Sequence, residues 1–234
     1  MVTEPIFFDI ETTGVKTNTD RIIEIAAYNP TSNKSFSHLI NPNVPIPPEA
    51  TAIHHISNDM VQNAPSFQEV GHLFLKFFPK DFILVAHNGD NFDKPFLEEE
   101  LKRNGLSIPS WKFFDTLKWA RKYRYDLPRH SLQFLREIYG ISPNKAHRAL
   151  DDVLVLYKVF SHMIDDLPIS TAYDLLYKKT DLSRMPFGKY QGQRLEEVPK
   201  NYVQWLAKNG AFDKNENKNL QEALVKIGVL SLEI

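Results

Sequence analysis

Five consecutive apolar residues, Phe82-Ile83-Leu84-Val85-Ala86, constrain this chain more than any other feature. A strand with no polar position has no face to give to water, so it belongs at the centre of a sheet. Its neighbours in sequence supply the rest of that sheet. Residues 5–10 and 21–28 are apolar runs separated by a turn-rich stretch, 12–20, and residues 34–40 read as a third strand. Residues 111–114 suit a fifth. Residues 41–48 carry four prolines and are expected as loop, because proline fits neither a helix interior nor an inner strand. Helices are expected over 66–78 (Ser66 as N-cap, Glu69 closing a capping box), 92–104, from about 116, over 131–139 and over 149–164. The last has a broad apolar face of Leu150, Val153, Leu154, Tyr157, Phe160, Met163 and Ile164. Strands first, then strands alternating with helices, predict an α/β domain on one mixed sheet. It is expected to end near 165, followed by a linker and helix over 166–180 and a small module over 181–234.

Composition removes several kinds of chemistry. The 234 residues include no cysteine, which excludes disulfides, zinc-thiolate sites and cysteine nucleophiles. The start, MVTEPIFFDIE, has no basic region and no apolar targeting stretch, and no window approaches the length of a membrane span, so a soluble cytoplasmic protein is expected. A net charge of −1 argues weakly against a protein that coats DNA, but hardly against an enzyme that grips one end of it. Bound divalent cations would supply a positive field locally.

Carboxylates are placed where such cations could sit. Strand alternation puts Asp9 and Glu11 on one face of the first strand. Two acids so close repel, raising at least one pKa, and a magnesium or manganese ion between them removes the conflict. Taken alone, Asp-x-Glu is no more than a solvated strand end. Glu11-Thr12-Thr13-Gly14 then runs into a tight turn whose hydroxyls and N–H groups could face a ligand. His87-Asn88-Gly89-Asp90-Asn91-Phe92-Asp93 follows the apolar strand, where open α/β sheets carry their binding residues. Asp93 would fall in the first turn of the next helix, where the dipole alone would also favour an acid. His147-Arg148-Ala149-Leu150-Asp151-Asp152 opens the long helix. Residues five apart lie on different helix faces, so His147 and Asp152 serve one site only if His147 precedes the helix. Asp151 reads as dipole compensation.

These residues resemble the DnaQ-like exonucleases of the DEDD superfamily, in the subgroup that uses a histidine. Asp-x-Glu-Thr-x-Gly matches Asp9 to Gly14, and His-x-Ala-x-x-Asp matches His147 to Asp152. The middle motif, commonly His-Asn-Ala-x-Phe-Asp, is one residue longer here, as in mammalian three-prime repair exonucleases. Residues 21–26, 52–57 and 114–117 are also similar to the family. Of the adjacent histidines, His54 matches the family's, which leaves His55 as a surface residue, while Asp115 reads as a helix cap. The resemblance covers residues 5 to 164 and implies a ribonuclease-H-like three-layer α/β fold. It implies two Mg2+ ions, or Mn2+, about 3.5–4 Å apart, with Asp9, Glu11 and Asp152 on the first, Asp9 bridging to the second, and Asp93 close by. His147 would be the general base in a 3′→5′ hydrolysis that releases nucleoside 5′-monophosphates. Thr12, Thr13, Gly14, Ile53, His54 and Asn88 would hold the terminal nucleoside.

Residues 185–194, Met-Pro-Phe-Gly-Lys-Tyr-Gln-Gly-Gln-Arg, look like the small module that follows the nuclease domain in bacterial exonuclease X-like proteins. Between 184 and 208 five basic and two acidic residues interleave with Phe187, Tyr190, Tyr202 and Trp205. Lys189 and Arg194 are expected as nucleic-acid contacts, and the aromatics, Trp205 above all, as core of a very small domain. A second basic run, Lys118, Arg121, Lys122, Arg124 and Arg129, reads as a solvated face or a guide for an incoming strand. DNA 3′ ends are the expected substrate; the added module favours a stand-alone repair or degradation enzyme over a polymerase-bound proofreader, and a polymerase or repair protein is the candidate partner. The alternatives are an RNA exonuclease, since the motifs do not address the 2′-OH, and a catalytically silent polymerase subunit, whose signature would be loss of one of the five positions.

Overall fold

The computed structural model describes residues 3–142, 148–177, 182–213 and 217–231. In chain order its elements are β1 (Glu4–Thr12), β2 (Ile22–Asn29), β3 (Lys34–Leu39), α1 (Pro48–His54), α2 (Asn58–Val61), α3 (Phe67–Phe77), β4 (Phe82–Ala86) and α4 (Asp93–Arg103). Then come β5 (Lys112–Asp115), α5 (Thr116–Tyr123), α6 (Leu132–Ile138), α7 (Ala149–Ile164), α8 (Ile169–Tyr177), a 3-10 turn (Leu195–Glu197), α9 (Lys200–Lys208) and α10 (Lys218–Lys226). The chain divides into two compact units, Met1–Leu176 and Tyr177–Ile234.

The sheet of the first unit runs β3-β2-β1-β4-β5, with β1 antiparallel to β2 and parallel to β4, and β4 parallel to β5. It is mixed, as expected, and β4 lies inside it with Ile83, Leu84, Val85 and Ala86 buried. Strand alternation sorts β1 between two layers. Ile6, Phe8 and Ile10 point to a core with Phe67, Val70 and Phe74 of α3 and Phe96, Leu97 and Leu101 of α4. Phe7 points the other way, with its ring against Tyr157 and Phe160 of α7. Tyr28, opposite Phe7 in register, meets Tyr157 as well. Helix, sheet and helix therefore form three layers. Asp9 and Glu11 fall on the same face of β1 as Phe7, toward α7.

Several local expectations hold. The capping box of Ser66 and Glu69 forms, and Asp115 caps α5 by accepting from the Leu117 and Lys118 N–H groups. Two boundaries differ. Pro48 is not loop but the first residue of α1, a position whose N–H would have no helical partner. The division between the units falls after Leu176 rather than near 165, since Ile169 and Ala172 of α8 are buried and the Leu175 carbonyl accepts from Lys122 Nζ at 2.7 Å. The second unit has its own core of Met185, Leu195, Val198, Val203, Leu206, Phe212, Leu220, Leu224 and Leu230. Among the described residues no helix is long and apolar enough to cross a membrane.

Candidate active site

Strand β1 reaches two residues past Ile10 before it turns, so Asp9 and Glu11 are held in ladder geometry, opposite Ala26 and Glu24 of β2. A register irregularity between Glu11 and Thr12 ends that regularity. Asp152 comes from the first turn of α7. One oxygen from each of Asp9, Glu11 and Asp152 lies within 4.8 Å of the others. Asp93 opens α4 directly beyond the loop after β4, and it is buried. Its Oδ1 is buried with no hydrogen-bond partner among the described residues.

Electrostatics shows what the cluster lacks. Burial, then Asp93, Glu11, Asp152 and Glu24, push the Asp9 pKa well above the ordinary carboxylate range. Glu11 is pushed up to about 8, by burial and then by Asp152, Glu24 and Asp93, with Arg148 opposing. Burial lifts Asp93 to about 7. A site that binds protons this tightly is short of positive charge. Its donors are all carboxylate oxygens, the set that magnesium and manganese prefer. The unpartnered Asp93 oxygen fits the same role, so the residues suit divalent cations.

Two supporting residues escaped sequence reasoning. Glu24 is 2% exposed, and it accepts from Arg148 Nε at 3.2 Å, Arg148 Nη2 at 2.9 Å and the Ala149 N–H at 3.1 Å. This ties the start of α7, and with it Asp152, to the strand beside Glu11. The sequence signals for Glu24 were an acid inside the apolar run 21–28 and the family likeness of residues 21–26, neither of which gave it a partner. Gln133 of α6 donates from Nε2 to Asp152 Oδ1 at 3.1 Å, and nothing local in the sequence marks it. Asp115 acts beyond its own helix, since its carboxylate also accepts from the Asn88 and Asp90 N–H groups in the loop that leads to Asp93.

A cleft of about 500 Å3 adjoins Glu11, and Thr12, Thr13, Gly14, Ile53 and His54 all line it, with Val15 and Phe92. Val15 (79% exposed) and Ile53 (56%) give it an apolar rim. The threonine hydroxyls hold the turn: Thr12 Oγ1 donates to the Gly14 carbonyl at 2.6 Å, and Thr13 Oγ1 accepts from the Arg21 N–H at 3.0 Å. A Cβ at Gly14 would crowd the Asp20 carboxylate, which accepts from the Lys16 N–H in the same turn. His54 is buried and its Nδ1 accepts from the Ile56 N–H at 3.0 Å, while His55 is exposed. Asn88 is elsewhere. It adopts φ +66° and lines a separate hollow of about 460 Å3 with His87, Arg121, Arg129 and His130. In that hollow, burial lowers the His87 pKa to about 4. Of the basic run nearby, Lys118 pairs with Asp90 and Arg124 with Asp126.

His147 lies outside the described residues; it immediately precedes Arg148, the N-cap of α7. In the second unit Lys189 and Arg194 are exposed. The expectation that Trp205 belongs to the core fails, since it is 55% exposed. Val203 and Leu206 are the buried positions of α9, and a residue two beyond Val203 points to the opposite side of the helix.

Known proteins can be set beside this geometry. A family model described as Exonuclease matches residues 6–160. A second, described as a quorum-sensing-regulated virulence factor, matches residues 176–233. The chain is 42% identical over 164 residues to the DNA polymerase III subunit epsilon of Treponema pallidum, covering 67% of this chain and 74% of that protein. Solved structures share the fold. Exonuclease I superposes with a TM-score of 0.64 at 19% identity over 75% of this chain and 43% of its own. Exonuclease X in complex with 5′ overhanging duplex DNA gives 0.53 at 24% identity, over 69% of this chain and 91% of its own.

Proposed function

The chain belongs to the exonuclease family and is a 3′→5′ exonuclease, and from that premise we propose that it trims DNA 3′ ends to nucleoside 5′-monophosphates with two divalent cations, magnesium in the cell. The observation that carries this reading is the cluster of Asp9, Glu11 and Asp152 oxygens within 4.8 Å of one another, beside Asp93. Burial and mutual repulsion raise the pKa values of Asp9, Glu11 and Asp93, and cations bound there would replace those protons. Bound there, the cations would lower the pKa of the attacking water and neutralise charge on the phosphate.

The chain's own groups do the rest. Asp9 feels Asp93, Glu11 and Asp152 together, so with them it would help to hold the cations. His147 is proposed as the general base by its place in the His-x-Ala-x-x-Asp motif, taking the proton of the attacking water, for which it must be neutral. The cleft of Thr13, Gly14, Ile53 and His54 would receive the terminal nucleoside, its apolar rim covering the base and its main-chain groups facing the sugar. The likeness to a polymerase subunit supports a proofreading or repair role with a polymerase as partner. We further propose the second unit, expected over 181–234 and spanning Tyr177–Ile234, as a separate nucleic-acid-contacting module.

Digestion of 5′-labelled DNA and RNA oligonucleotides, single-stranded and duplex, tests this reading with magnesium, manganese and chelator. A ladder shortening from the 3′ end of DNA is expected, absent in chelator and in Asp9→Ala and His147→Ala. Cleavage of RNA alone would reassign the polymer. No cleavage by folded, cation-loaded protein would favour the silent-subunit reading.

A further inference from the structure

The second unit carries a surface that the nuclease reading does not use. Residues 177–234 hold ten lysines and arginines against seven acids, whereas the residues before them hold 18 against 22. Within that basic unit Tyr202 and Trp205 share one side of α9 and stack with ring centroids 5.8 Å apart and planes 17° from parallel. A small domain normally hides an indole of this size in its core, yet Trp205 is 55% exposed. Tyr190 packs edge-on against Tyr202 at 4.8 Å, and Lys189 Nζ lies 5.5 Å from the centre of the Tyr190 ring. Lys208, one turn beyond Trp205 on α9, is also exposed.

The glycine-rich loop is fixed in place against this ladder. The Lys189 N–H donates to the Tyr202 hydroxyl at 3.1 Å. Gly188 has φ +79°, and a Cβ there would stand 2.3 Å from that hydroxyl. The Met185 N–H donates to the Gln193 carbonyl and the Gly192 N–H to the Met185 carbonyl, which closes the loop behind them. The Phe-Gly-Lys-Tyr-x-Gly sequence thus serves to hold Lys189 and Tyr190 beside half-buried Tyr202, on which the exposed Trp205 stacks.

We propose that Tyr202, Trp205 and Lys189 form a binding platform for single-stranded nucleic acid, with a base stacked on the outer face of the Trp205 indole and the adjoining phosphate met by Lys189. A flat, exposed indole backed by a tyrosine ring and flanked by cations suits this ligand because every base offers a π face and every nucleotide a negative charge. Only the identity of the polymer rests on the nuclease reading; the surface does not.

Fluorescence anisotropy of labelled dT15 with the full-length protein in chelator tests the platform while hydrolysis is blocked. Trp205→Ala is expected to weaken binding roughly 5- to 100-fold, and Trp205→Phe to stay within a few-fold of wild type. Intrinsic tryptophan emission should be quenched by dT15 in the wild type and no longer in Trp205→Phe, which separates stacking at this indole from effects at Trp111 or Trp119. Lys189→Ala should lower the slope of log affinity against log salt by about one. Circular dichroism and melting of each variant establish folding, which an exposed side chain leaves intact. Wild-type affinity in folded Trp205→Ala would overturn the proposal and leave a protein-facing surface as the use of the patch. Persistent quenching in Trp205→Phe, or no dT15 binding by wild type, would overturn it too. Failure of the nuclease reading would instead show as missing cleavage with this binding intact.

Discussion

Replacing Glu11 by glutamine should stabilise the cation-free protein, although it removes a proposed ligand. The Glu11 pKa rises from 4.5 to about 8 on folding, chiefly by burial and then by Asp152, Glu24 and Asp93. Below pH 4.5 the carboxyl is protonated in both states and contributes nothing. Between that value and 8 the unfolded chain ionises while the folded one keeps its proton, so the folded state loses stability as pH rises, and the loss levels off above 8. Each tenfold change in proton affinity is worth about 1.4 kcal/mol, so at pH 7 the cost approaches about 3 kcal/mol. Glutamine never ionises and also relieves Asp9, whose pKa Glu11 raises. Urea unfolding in chelator should therefore find Glu11→Gln more stable than wild type by about 1–3 kcal/mol at pH 7, with the gap closing toward pH 5. Saturating magnesium should narrow or reverse the order, because wild type gains a filled site and the variant a weakened one. Equal stability of the two proteins in chelator at pH 7, or a gap indifferent to pH between 5 and 8, would refute the reasoning.

The Glu24–Arg148 pair should respond asymmetrically. Its side chains are 3% and 38% exposed; Arg148→Ala strands a buried carboxylate and should cost roughly 2–4 kcal/mol, while Glu24→Gln frees a guanidinium that water can reach and should cost about 1 kcal/mol. Urea midpoints decide this, and the reverse order would show that the pair does not tie α7 to β2 as described. Asp115→Ala should lower stability by about 2 kcal/mol and reduce kcat more than it raises KM, because the loop it holds leads to Asp93; unchanged kcat would separate that loop from the reaction. Gly188→Ala should lower the melting temperature of the second unit, with a smaller effect in a Tyr202→Phe background where the clashing hydroxyl is gone. A strictly additive double-mutant cycle would show that the hydroxyl is not what excludes a side chain.

Local order governed what could be read directly. The five apolar residues of β4 and the bounds of α7 fall where the pattern put them, since burial periodicity is written into adjacent residues, but α7 buries Val155, Leu156 and Val159 with Val153 and Phe160 and leaves Leu150, Leu154, Tyr157, Met163 and Ile164 of the expected face only half-buried. The ligand types were legible because alternation in β1 fixes which face Asp9 and Glu11 share. Contacts between distant segments were not. Glu24 and Arg148 are 124 residues apart, and Gln133 meets Asp152 only after α6 and α7 have packed. The place where the chain divides depends on α8 burying Ile169 and Ala172, and the exposure of Trp205 on which side of α9 the core of its module claims. Sequence by itself determined the strands, the helices that alternate with them and the acids at the end of β1, because covalent spacing and side-chain period act over a few residues. The tertiary structure alone decided which charges face each other and which aromatics meet water, because burial and pairing are set by register and packing between segments that the chain order does not bring together.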